Sequence, residues 1–272
     1  MRRKRRDRGR GKLAAGVCLG ALLLGSLLRP RVALAHDCAE TFASDRPAAN
    51  NGHGVIGAGC ADVEAGLQTD LTDAGGDLAF PTLLRVGLTQ RFELRASTDL
   101  VRLSFPKGAD VAASAPTALV GMKLTAVAAE KDRPGLGLLV MVGSVLNRSI
   151  GDQLTAQSAL LFDWTFVPKL TLSLNGGLSL QPAPDDGARR RGRFDQVAVL
   201  TQGLPDLADF ISLYVDAFGG VDLENGATFH ENLGAGAAFL VAPQLQVDAY
   251  VFAELTGDIH PLSLGAGASF GF

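Results

Sequence analysis

Apolar and polar residues alternate with a period of two along most of the chain from Ala61 onward. Alternation sustained over about ten residues indicates β-strands, because successive side chains of a strand point to opposite faces. In the last segment the apolar positions are Leu262, Leu264, Ala266, Ala268, Phe270 and Phe272. Twelve such runs are found, at 61–71, 82–88, 92–101, 117–128, 136–146, 153–166, 169–181, 193–203, 210–221, 230–241, 245–255 and 262–272.

The connections between these runs alternate in length. Short ones fall at 89–90, 167–168, 204–209 and 242–244. Longer, polar ones with Gly and Pro fall at 72–81, 102–116, 182–192 and 222–229. Short turns at one end and long loops at the other predict an up-and-down meander of antiparallel hairpins.

Charge is confined to one face of the predicted strands. The other face is apolar, as at Leu84, Leu160 and Leu213. Strands of about ten residues match a tilted strand that crosses a bilayer, and a sheet in hydrocarbon has to close on itself. We therefore predict an all-β, antiparallel up-and-down transmembrane β-barrel of about twelve strands over residues 61–272. The candidate lumen-lining residues are Arg85, Glu93, Arg95, Lys123, Asp163, Asp216, Asp248 and Glu254.

A soluble sandwich or lipocalin is the alternative that periodicity alone does not separate, because such folds bury the apolar face instead. Strand length, strand number and the two ends of the chain favour the membrane. Residues 1–35 have a basic start, an apolar stretch at 13–28 and Ala33-Leu34-Ala35, which is typical of a signal peptide. A membrane anchor is the rival interpretation of this segment.

The charge balance changes once the predicted signal peptide is set aside. Ten of the 25 Lys and Arg residues and one of the 28 acids lie within residues 1–35, which leaves 15 bases and 27 acids. An acidic exported chain does not fit nucleic-acid binding, which requires basic surfaces. We therefore expect no nucleic-acid partner.

Residues 36–60 show no sustained period and predict an irregular N-terminal arm. Cys38 and Cys60 are the two cysteines outside the signal peptide. In an exported protein they predict a disulfide, with two free thiols as the alternative.

The C-terminal segment ends on Phe272 with apolar residues at alternate positions before it. It resembles the C-terminal signal that the barrel-assembly machinery of the bacterial outer membrane reads. An even number of strands returns this end to the side of the N-terminus, which is the periplasm. We expect contacts with outer-membrane lipid. The basic run 189–193, placed in a long outer loop, is a candidate for lipopolysaccharide phosphates, with a solvated loop as the alternative.

Four segments are similar to those of a family of outer-membrane transporters labelled for a phenol-degradation (MetA) pathway. LLRVGLTQRFELR at 83–95 resembles that family's "LRyGLtdrfELR" segment. Three shorter segments are also similar: VGMK at 120–123, LNGG at 174–177 and QLQVD at 244–248. The resemblance covers most of the chain from about Ala61 and implies a barrel that transports small molecules of hydrophobic or aromatic character. The cysteine-bearing arm departs from the family.

Motifs for nucleotide or zinc binding are absent from the sequence, and we expect no cofactor. We interpret the chain as a channel or transporter and not as an enzyme. The alternatives are a plugged structural or surface barrel and, third, an outer-membrane hydrolase, for which His260 and Ser263 are the nearest Ser–His pair. Acids outnumber bases at the inward positions, so an open pore would prefer cations or neutral solutes. Pairing of those charges across the lumen is the alternative.

Overall fold

The computed structural model describes residue 38 and residues 42–46, 49–130, 133–146, 154–182, 190–204, 210–224, 229–256 and 261–272. Its strands are β1 Ala61–Thr72, β2 Gly75–Thr89, β3 Phe92–Pro106, β4 Ala112–Ala113, β5 Thr117–Val127, β6 Gly135–Val145, β7 Leu154–Val167, β8 Leu170–Pro182, β9 Arg190–Gly203, β10 Ile211–Asp222, β11 Phe229–Ala242, β12 Leu245–Glu254 and β13 Leu262–Gly271. The predicted signal peptide lies outside the described residues. No helix in this part of the chain is long and apolar enough to span a bilayer.

Twelve long antiparallel strands form a closed barrel, which confirms the predicted fold class. Each long strand pairs with its neighbours in sequence, and β1 pairs with β13 to close the sheet. At the seam, the amide of Ala61 donates to the carbonyl of Phe272, and the amide of Phe272 donates back. The two-residue strand β4 is an addition that pairs only with the outer part of β3.

The two ends of the barrel differ. At one end, here called the turn end, β2–β3, β7–β8 and β11–β12 are joined by two-residue turns, and the Ala61–Phe272 pair of the β1–β13 seam lies at the same end. Lys169, in the β7–β8 turn, has a positive φ of 64°. The opposite end, here called the loop end, carries the connection 107–116 and most of the longer ones.

One predicted loop is wrong. Residues 72–81 are not a long connection, because β2 begins at Gly75 and only residues 73 and 74 separate it from β1. The polar residues of this stretch misled the prediction. Asp77 is paired with Ser104 across β2 and β3 and belongs to the polar inner face of the barrel.

The two faces of the barrel have opposite polarity. Leu160 on the outer face is 70% exposed, whereas Arg85 and Lys123 on the inner face are fully buried. Large apolar side chains exposed on the outer face include Leu84, Leu94, Val120, Met122, Leu136, Leu178, Leu213, Val215, Leu233, Val251 and Leu264. Within the lumen, Leu139, Met141 and Leu161 form a small apolar cluster on β6 and β7. The charged inner face is therefore sealed from the surface that lipid would contact.

The opposite orientation of neighbouring positions on β7 gives a direct test of the outer face. Leu160→Arg should prevent membrane assembly, because a cation at the hydrocarbon midplane costs roughly 2–4 kcal/mol. Gln157→Arg, on the same strand but in a lumen cavity, should assemble normally. Heat-modifiable migration of both variants in membrane fractions measures assembly. Equal assembly of the two proteins would contradict the assignment of the faces.

Candidate functional site

The N-terminal arm enters the lumen. Residues 42–46 and 49–57, here called the lumen arm, contact the inner faces of strands from all round the barrel. The contacted side chains, such as Glu64, Glu93 and Asp163, lie in the part of each strand nearest the turn end. The arm therefore fills the turn-end half of the lumen.

A buried ion network lies where the arm meets β1, β2, β3 and β5. Arg85 donates to both carboxylate oxygens of Glu93 at 3.0 Å and to Glu64 at 3.2 Å. The Arg95 guanidinium lies 2.9 Å from Glu93. Asp62 lies 3.5 Å from Arg85. A charge removed from water needs partners of opposite sign, so these side chains stabilise one another only as a set.

Asp45 of the lumen arm completes this network. Its carboxylate accepts from Arg95 and, at 3.1 Å, from the Lys123 ammonium. Its backbone amide donates to Glu64 at 3.0 Å. Four of the predicted lumen residues, Arg85, Glu93, Arg95 and Lys123, therefore meet around one residue of the arm.

Arg46 anchors the arm to the opposite wall. Its guanidinium donates two hydrogen bonds to Asp248, at 3.0 and 3.1 Å, and lies 5.8 Å from the centre of the Tyr250 ring. Burial by itself lowers the pKa of Arg46, but the hydrogen bond and the charge of Asp248 outweigh it, so that the pKa is raised. Gly66 and Gly267 leave the room that this side chain needs, since a Cβ at either position would lie within 2.5 Å of it.

His53 attaches the far part of the arm to β5 and β7. Its amide and its Nδ1 both contact Asp163, at 2.5 and 2.6 Å. The Ala129 amide donates to Nε2 at 3.3 Å, so Nε2 has the lone pair and Nδ1 carries the proton that faces Asp163. Thr125 donates to the His53 carbonyl at 2.9 Å.

Two further carboxylates of the wall hold the arm's backbone. Asp216 accepts from the amide of Ala49 at 3.1 Å, and Glu93 accepts from the amide of Ile56 at 2.9 Å. Such bonds satisfy backbone donors that the arm, having no strand partner, would otherwise bury unpaired. The arm is thus held by charges and hydrogen bonds more than by apolar packing.

The disulfide closes the base of the arm. Cys38 and Cys60 are joined, with their Cα atoms 5.7 Å apart. Cys60 is buried next to the start of β1, and its carbonyl accepts from Gly87 at 2.9 Å. The segment inserted in the lumen is therefore a closed covalent loop.

Three predicted features lie apart from the arm. Glu254 contacts His230 at 3.0 Å near the loop end. The basic run 189–193 is predicted to lie in a loop, but β9 begins at Arg190, so most of the run belongs to a strand. Arg193 lies 2.7 Å from Asp195, two residues on along β9. Of the Ser–His pair, His260 lies outside the described residues, and Ser263 donates to Asp70 at 2.5 Å.

Three cavities flank the lumen arm. The first, of about 260 Å³, borders Asp45 and Arg95. The second, of about 370 Å³, has a polar wall on β7, β8 and β9. The third, of about 360 Å³, has an aromatic wall formed by Tyr214, Phe218, Tyr250 and Phe252. Each exceeds the ~150 Å³ that suffices for benzene in an engineered protein cavity.

The aromatic wall is a connected cluster. Phe218 and Phe252 meet edge to face at 5.1 Å, and Tyr250 stacks on Phe252 at 6.0 Å. No group of three or more His, Cys, Asp or Glu side chains in the described ranges is arranged to hold a metal ion. The three cavities leave room for small molecules beside the arm.

Sequence reasoning missed that the arm enters the lumen. It placed the charges on the inner face but had no means of pairing them with Asp45, Arg46 or His53. One signal was present, because inward glycines occur where the arm lies against the wall. A Cβ at Gly135 would lie 2.2 Å from the His53 ring, and one at Gly87 would lie 2.0 Å from the Gly57 carbonyl oxygen.

The solved structures similar to this chain are outer-membrane barrels. An outer membrane channel from Pseudomonas putida F1 has a TM-score of 0.61 at 12% identity, over 82% of this chain and 99% of that one. The NanC porin has a TM-score of 0.56 at 8% identity, over 77% and 98%. The KdgM porin, solved in complex with disordered oligogalacturonate, has a TM-score of 0.54 at 8% identity, over 78% and 99%.

No protein-family model and no curated protein matches this sequence. The likeness to the three solved structures is one of architecture, and it places the chain in the fold of outer-membrane channel barrels.

Loss of the disulfide should loosen the arm without opening the barrel. Removing a crosslink that closes a loop of this size costs about 3 kcal/mol, chiefly because the freed segment gains conformational entropy. In a Cys38→Ser, Cys60→Ser variant we expect normal barrel assembly but faster cleavage at Asp45 by an Asp-specific protease in detergent. Wild-type protein without reductant is the control. Unchanged protection would show that the ion pairs hold the arm by themselves.

Proposed function

We propose that this protein is a channel of the bacterial outer membrane in which the lumen arm forms the constriction. The observation that supports it best is the position of the arm, which narrows a polar lumen at one end and leaves cavities beside it. The channel fold of the three solved structures agrees with this proposal. The channel fold of those structures also agrees with the proposal that this protein is not an enzyme.

The proposed orientation follows from the two ends of the barrel. Short turns face the periplasm and long loops face the outside in such barrels. The arm then lies at the periplasmic end of the lumen. Phe272, exposed at the seam, is the proposed contact for the assembly machinery, and the apolar outer face is the proposed contact for lipid. The arginines of the basic run 189–193, at the loop end of β9, are the proposed contacts for the phosphates of lipopolysaccharide.

The aromatic wall supports small hydrophobic or aromatic molecules as the solute class. Aromatic rings bind one another edge to face or offset, so Phe218, Tyr250 and Phe252 offer ring faces and edges to a planar solute. The resemblance to transporters labelled for phenol degradation points to the same class.

A sealed structural barrel is the second candidate function. The buried network around Asp45 favours it, because the ion pairs of Asp45 with Arg95 and Lys123 resist displacement of the arm. The two candidates differ in whether the wild-type protein conducts ions.

Conductance separates the two candidates. Purified wild-type protein in planar bilayers should show a small conductance. It should rise several-fold when residues 42–57 are replaced by a Gly/Ser linker of equal length, which cannot make the arm's contacts. The matched control is Glu130→Gln with Arg133→Gln, which neutralises two exposed residues that pair only through their backbones in the β5–β6 connection.

Silence of both the wild type and the linker variant would refute the channel. Current from the linker variant alone would support the sealed barrel instead.

The solute class can be tested through block of the ion current. Phenol should reduce the current more than cyclohexanol does, because only the planar ring stacks on the aromatic wall. Phe218→Leu with Phe252→Leu, which keeps the cavity apolar, should abolish that difference without changing the unblocked current. Equal block of the wild type by the two alcohols would contradict an aromatic preference.

A further inference from the structure

The carboxylate of Asp45 lies in a site that the barrel wall builds for an anion. Lys123 donates to its two oxygens at 3.1 and 3.3 Å, Arg95 donates to one of them, and the Arg85 guanidinium lies 3.9 Å away. These three bases come from the adjacent strands β2, β3 and β5 and are buried. The arm itself adds one donor, the amide of Gly52, at 3.1 Å.

The wall binds this carboxylate although it already has acids of its own. Glu93 contacts Arg85, Arg95 and Lys123, the last at 3.6 Å, and Glu64 contacts Arg85. The donors that Asp45 uses on Arg95 and Lys123 are those directed toward the arm. Withdrawal of Asp45 would leave these donors without their carboxylate acceptor, although Glu93 would still lie beside both cations, and a buried donor that loses its acceptor is costly.

A cavity adjoins this anion site. The cavity of about 260 Å³ is bordered by Asp45 and Arg95 at its polar side and by Leu83, Leu139 and Met141 at its apolar side. A molecule that placed a carboxylate at the bases would therefore have room for a short apolar tail.

We propose that Arg95 and Lys123, with Arg85 behind them, form a binding site for small monocarboxylates with an apolar tail, and that Asp45 occupies it as an internal substitute. In the intact arm Asp45 is tethered, so it has a high effective concentration and a free carboxylate competes poorly. This inference deepens the proposed channel function, but binding at the site does not require conduction.

The test removes the Asp45 side chain from the site and adds a free carboxylate to the solution. Asp45→Ala removes the carboxylate, and sodium butanoate, sodium chloride at equal ionic strength and 1-butanol serve as probes. At a butanoate concentration about tenfold above its Kd, the folded-to-unfolded ratio in detergent should rise about tenfold. Chloride lacks the two-oxygen geometry and 1-butanol lacks the charge, so neither should reproduce the effect.

Three proteins serve as controls. The wild type and Asp45→Asn should respond weakly, because a side chain of the same shape still fills the site. Arg46→Ala loosens the arm at Asp248 but leaves Asp45 in place, so it should respond weakly as well. If Asp45→Ala does not assemble, butanoate added during refolding should restore assembly and 1-butanol should not.

Two outcomes would overturn the proposal. One is an equal response of Asp45→Ala to butanoate and chloride, and the other is an equal response of Arg46→Ala and Asp45→Ala to butanoate. Neither depends on current through the protein, so failure of the channel function and failure of this site are distinguishable.

Discussion

Closure of a β-sheet in hydrocarbon is the constraint on which the rest of this structure depends. Every backbone donor and acceptor at membrane depth needs a partner, so β1 has to pair with β13 and the apolar side chains have to face outward. The strand period then forces the alternate side chains inward. Charges such as Arg85, Glu93 and Lys123 are collected in a narrow space away from bulk water, where they need partners.

The lumen arm supplies partners for these inward charges. Asp45 meets the bases of β3 and β5, Arg46 meets Asp248 of β12, and His53 meets Asp163 of β7. Each contact joins the arm to a different part of the wall, so the arm braces the barrel while it narrows the lumen. In the proposed channel, the same contacts that stabilise the fold would define where a solute can pass.

The distribution of chemistry around the arm links this architecture to function. On the β10–β12 side the wall is aromatic, on the β7–β9 side it is polar, and near β2, β3 and β5 it is basic. In the proposed channel, a molecule entering from the loop end would reach the aromatic and polar surfaces beside the arm, whereas Asp45 covers the basic one. Discrimination among solutes in such a channel would therefore rest on the wall residues next to the arm and on how firmly the arm is held.

The alternating pattern determined the twelve long strands and the face that bears the charged residues, because both follow from local periodicity. Strand length, strand number and the two ends of the chain then favoured a barrel closed in a membrane over a soluble fold. The pattern misplaced residues 72–81, since polar lumen residues such as Asp77 read like loop residues. Only the tertiary structure decided which charges meet. Asp45 and Lys123 are 78 residues apart in sequence, and an irregular arm has no period from which its path through the lumen follows.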